Sequence, residues 1–146
     1  MDRKSTSGYC FNIGSGITSW RSRKQKSMAL SSFEAKYMAA STASCKAIWL
    51  RKLLVNLFRR NMEVTRIMCD NLSCIKLSEN PVFHDRSKHI DIRCLFVRDC
   101  VQRGVVQLSY TPIGEQVADI LTKALGKSKF DYFRENMGMV KNPFQK

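Results

Sequence analysis

The chain has 146 residues, 25 Lys and Arg against 12 Asp and Glu, and 10% aromatic residues, the composition of one folded domain and not of a disordered tail. A chain this long buries about 70% of the surface its unfolded form exposes, so its core needs no disulfide or metal. No run approaches the roughly 18 apolar residues of a membrane span, and Asp2, Arg3 and Lys4 have no apolar signal core behind them, so neither membrane insertion nor signal-directed secretion is expected.

In chain order, residues 8–13 (GYCFNI) and 17–21 (ITSWR) are short β-branched or aromatic runs around Gly14, Ser15 and Gly16, which predicts a hairpin. Ser31 or Ser32 then opens a long helix, with Phe33, Tyr37, Ala40, Ser44, Ala47, Ile48, Leu54 and Phe58 recurring every three or four residues on a face expected to meet a core. Thr65 to Cys69 reads as a buried strand, and Leu72 to Ser78 as a short helix stopped by Asn80 and Pro81. A helix is expected over residues 87–103, ended by Gly104, then a strand over 105–110 and a closing helix over 116–125. Beyond Gly126, a basic segment places Phe130, Phe133 and Met137 on one potential helical face. The order β-β-α-β-α-α-β-α describes an α/β fold, a mixed sheet flanked by helices, without internal repeats.

Charge is uneven: residues 1–60 carry 12 Lys and Arg against 2 acids, and the remainder 13 against 10. A field of this sign attracts polyanions, and phosphate binding through it weakens with salt. Arg21, Arg23, Lys24 and Lys26, following Trp20, are the candidate nucleic-acid contacts, since an aromatic beside clustered cations adds stacking to pairing; a solvated basic surface is the plain alternative. Cys10, Cys45, Cys69, Cys74, Cys94 and Cys100 contain no C-x-x-C pair and no His at zinc-finger spacing, which points to reduced, mostly packed thiols.

Acids at strand-to-helix junctions stand out in so basic a chain. Asp70 ends a strand, Asp119 begins the closing helix, and Glu34 lies in the first turn of the long one. Carboxylates gathered at one end of a sheet suit two Mg²⁺ ions about 3.5–4 Å apart. Each acid also has an ordinary reading: Ser31-x-x-Glu34 is a capping box, Asp70 a natural N-cap, and Asp119 complements a helix dipole. Spacing alone does not decide between them.

Residues 2–8 (DRKSTSG), 17–25 (ITSWRSRKQ), 29–37 (ALSSFEAKY), 49–54 (WLRKLL), 69–71 (CDN), 80–84 (NPVFH), 88–92 (KHIDI) and 118–123 (ADILTK) resemble, in order, the ribonuclease H domain at the C-terminal end of the Pol polyprotein of copia-type LTR retrotransposons. The resemblance implies a ribonuclease H-like mixed sheet flanked by helices, with residues 1–125 as that domain and 126–146 as the basic tail of Pol. It implies an enzyme that cuts the RNA strand of an RNA–DNA hybrid with two Mg²⁺ held by four acids, beside the reverse transcriptase region, in an intracellular setting such as a virus-like particle in cytoplasm or nucleus. Asp70 and Asp119 match two of the four acids and are the expected catalytic and metal-binding residues. The first family acid stands on a central strand ahead of the DRKSTSG motif, so the sheet is expected to lack that strand and acid. The second is the later Glu of a Glu-Ala-Glu-Tyr pattern, which here reads Glu34, Ala35, Lys36, Tyr37. Lys36 thus stands in a metal-ligand position, while Glu34 lies about 200° round the helix and does not replace it. At about 4 Å and an effective dielectric of 20, unit charges attract by about 4 kcal/mol, enough for Lys36 to pair with Asp70 or Asp119 and leave Mg²⁺ binding weak or absent. His84 and His89, inside the matching motifs, are candidate phosphate contacts, and Tyr37 and Trp49 are expected in the core.

Overall fold

A computed structural model describes residues 4–80 and 88–144, with the side chains of residues 88–90 left out. His84 and the His89 side chain therefore lie outside the described residues. The elements are β1 (Thr6–Ile13), β2 (Gly16–Lys24), α1 (Ser32–Phe58), β3 (Thr65–Cys69), α2 (Leu72–Glu79), α3 (Lys88–Gln102), β4 (Val106–Tyr110), two short 3₁₀ turns (Ile113–Glu115 and Val117–Leu121) and α4 (Lys127–Asn136). The architecture is mixed α/β, but its strands form two separate ladders, β1 antiparallel to β2 and β3 parallel to β4. The chain divides into two units, one joining residues 4–28 with 117–144 and the other comprising 29–116.

In the first unit, β1 and β2 turn at Gly14, whose φ of 65° is left-handed. The Val117–Leu121 turn lies against the hairpin so closely that a Cβ on Gly8 would fall 2.8 Å from Thr122 Cγ2 and 3.0 Å from Leu121 Cβ. Ser22 Oγ donates to the Leu121 carbonyl at 2.6 Å. The expected helix over 116–125 is absent: Val117–Leu121 is a 3₁₀ turn packed on the hairpin. Past Gly126 the basic segment does form a helix, α4, burying Phe133 and Met137 while Phe130 stays half exposed. Its end meets the hairpin turn at Gly138, where φ is 71° and a Cβ would collide with the Ser15 carbonyl oxygen.

In the second unit, Ser31 caps α1 by accepting the Glu34 N–H at 3.2 Å. The core gathers Tyr37 and Ala40 of α1, Cys69 of β3, Cys74 of α2, Val97 of α3 and Leu108 of β4. Tyr37 is wholly buried, as its periodicity predicts. Trp49 and Phe58 are not: they are 53% and 64% exposed. Helical periodicity identifies an amphipathic face but not where along its length that face is covered. All eight buried residues of α1 lie between Glu34 and Ala47.

Candidate functional site

The strand β3 delivers Cys69 to the core, and the next two residues, Asp70 and Asn71, are both good helix caps. Asn71 takes that role: its Oδ1 accepts the Cys74 N–H at 3.0 Å and opens α2. The capping reading of Asp70 is thereby corrected. Its side chain is 6% exposed, and Oδ1 accepts a hydrogen bond from Lys36 Nζ across the gap from α1. Oδ2 is buried with no hydrogen-bond partner among the described residues. A carboxylate so far from water requires a positive partner, and the Lys36 ammonium supplies it while remaining 34% exposed itself.

The other two acids have local partners. Glu34 Oε2 accepts the Leu30 N–H at 2.8 Å, so Glu34 works as part of the α1 cap. Asp119 is buried in the Val117–Leu121 turn, where Oδ2 accepts Lys123 Nζ at 2.9 Å. Its carbonyl also accepts the N–H groups of Thr122 and Lys123, each at 3.0 Å. The Asp119-x-x-x-Lys123 spacing was a readable signal for this pair. Asp70 belongs to the second unit and Asp119 to the first. Among the described residues, no three His, Cys, Asp or Glu side chains form a group that could hold a metal ion.

Beside Asp70, Cys69 Sγ donates to the Asn71 carbonyl and Cys74 Sγ to the Phe33 carbonyl, each at 3.7 Å; the neighbouring Cys74 thiol holds Cys69 below the usual thiol range, while Cys69 and burial push Cys74 up. The spacing C-x₄-C gave no hint of this contact. Of the six cysteines, three are buried, two half-buried, and Cys45 exposed.

The basic candidates divide between faces. Arg21 and Arg23 alternate with Trp20, Ser22 and Lys24 along β2, so strand pleating puts Trp20 on the face opposite the two arginines. Arg21 is opposite Tyr9 in register and Arg23 opposite Ser7. Tyr9, whose ring centroid lies 5.5 Å from that of Phe11, is therefore the aromatic neighbour of Arg21, a residue the sequence argument passed over in favour of Trp20. Arg23, Lys24 and Lys26 are exposed and Arg21 half-buried.

Over nearly its whole length the chain is similar to retrovirus-related Pol polyproteins of transposons. It is 38% identical over 141 residues, 97% of its length, to the retrovirus-related Pol polyprotein from transposon TNT 1-94 of Nicotiana tabacum. It is 38% identical over 142 residues, again 97% of its length, to the retrovirus-related Pol polyprotein from transposon RE1 of Arabidopsis thaliana. The chain spans 10% of the length of each of these relatives. A 48-residue stretch, 33% of the chain, is 56% identical to the secreted RxLR effector protein 161 of Plasmopara viticola and covers 34% of that protein. No protein-family model and no solved structure matches the chain.

Proposed function

We propose that this chain is a ribonuclease H-like segment of a retrotransposon Pol polyprotein whose hybrid-cutting chemistry is impaired. The observation that carries the reading is the Lys36–Asp70 pair: the acid of the CDN motif is buried, and an ammonium ion occupies the place beside it that a divalent cation needs. Asp119 of the ADILTK motif pairs with Lys123, a lysine of the same motif, so that pair does not by itself mark impairment. Asp70, paired in this way, does not fit a resident Mg²⁺, because a lysine held within hydrogen-bond distance repels a dication and fills one of its coordination directions. The domain reading, with residues 1–125 ribonuclease H-like and 126–146 the end of Pol, rests on the motif resemblance. In support of an architecture short of one strand, β1 and β3 each have a single ladder partner among the described residues.

Calorimetric titration of Mg²⁺ into the chain is expected to give no stoichiometric binding, and two tight sites would overturn this reading. A second reading is favoured by one observation, the Arg21–Tyr9 juxtaposition on the hairpin: a binding module for RNA–DNA hybrid or duplex phosphates, acting beside the reverse transcriptase region of Pol without cutting. In that reading Arg21, Arg23, Lys24 and Lys26 supply phosphate contacts.

A further inference from the structure

The helix α1 spans 27 residues, about 40 Å at 1.5 Å per residue. Its first half is packed on several sides, but no residue after Ala47 is buried. On this second half Trp49, Leu53 and Leu57 follow at four-residue spacing and are 53%, 39% and 65% exposed. Three large apolar side chains in one row form a ridge of the kind that seats in the groove of another helix. The half is held in place: Arg51, on the other side of the helix, donates to the Met62 carbonyl at 2.9 Å and to Thr65 Oγ1 at 3.2 Å, and also to the Glu63 carbonyl.

We propose that this row is a docking surface for a protein partner presenting an apolar helix or groove flanked by carboxylates. Charge selects that occupant. From Ala35 to Met62 the sequence has no acid, while Lys46, Lys52, Arg59 and Arg60 surround the row. Two copies of the chain meeting face to face would oppose these cations to one another, so a second copy is the wrong partner. A membrane surface fits less well, because this ridge, one side chain wide, is narrower than the apolar face an interfacial helix inserts; Lys46 Nζ lies 3.8 Å over the Trp49 ring. A carboxylate from the partner answers that same ammonium. Trp49, the aromatic at the N-terminal end of the row, is the expected anchor.

The test uses the full chain and a synthetic helical peptide with leucines at three- and four-residue spacing and flanking glutamates, followed by calorimetry. Binding is expected to weaken with added salt and to fall about 30-fold in Trp49→Ala, the loss typical of an interface anchor. Because Trp49 and Leu57 are more than half exposed, Trp49→Ala and Leu57→Glu should leave the helical circular dichroism unchanged, which separates lost docking from lost folding. Equal binding of a control peptide with serines for leucines would overturn the proposal, as would absence of binding. It would also be overturned by uptake onto phosphatidylserine vesicles without peptide binding, or by a concentration-dependent dimer abolished by Trp49→Ala.

Discussion

Lys36→Ala is expected to lower folding stability by about 3–5 kcal/mol, the loss that follows when one partner of a buried ion pair is removed and the other stays behind. Asp70 is the partner that stays: its side chain is 6% exposed, and among the described residues Oδ2 has no hydrogen bond to share the charge. Asp70→Asn should cost far less, since Lys36 is 34% exposed and its ammonium reaches water once the carboxylate is gone. The double change Lys36→Met with Asp70→Asn should recover most of the loss, because it removes both desolvated charges together. Urea denaturation at pH 7 checks the ranking. Equal losses from Lys36→Ala and Asp70→Asn would mean that the pair is a surface contact and not the neutralisation of a buried acid.

Phe133→Ala carries the second large expectation, a loss of about 3–5 kcal/mol from a wholly buried aromatic position. The hairpin β1–β2 is a two-stranded ladder, a structure marginal by itself in water, and the Val117–Leu121 turn and α4 are the elements that accompany it in its unit. Removing the ring should therefore raise hydrogen exchange of the β1 and β2 amides as well as lower the thermal midpoint. Unchanged exchange in the hairpin would show that α4 is dispensable to it. Phe130→Ala is the internal control, since that ring is 45% exposed.

Much of the element order is written locally. The hairpin, the capping box at Ser31, the strands at 65–69 and 106–110, and the glycine after α3 are signals contained within a few residues, and the structure has elements at each. The segment 116–125 was not legible, because its packing against the hairpin, with Ser22 bonded to the Leu121 carbonyl, joins residues 99 positions apart. The exposed end of α1 was not legible either: apolar spacing is the same whether the face is covered or waiting for a partner. At the candidate site, the opposition of Lys36 to an aspartate followed from charge and motif position, but the choice between Asp70 and Asn71 as cap did not. Two adjacent residues with equal capping propensity are separated only by where the end of β3 aims them. The mixed α/β class was visible in the order of elements, whereas the division into two ladders depends on pairings that no local pattern encodes.

The most direct test of the central claim is cleavage of a labelled RNA–DNA hybrid in Mg²⁺ and in Mn²⁺, with binding of the same hybrid measured in parallel and Asp70→Asn as the comparison. The Lys36–Asp70 pairing leads to binding that weakens with salt and to no metal-dependent cleavage by either chain. Metal-dependent cleavage by the natural sequence, lost in Asp70→Asn, would contradict the account by showing that Asp70 still serves the chemistry despite its lysine.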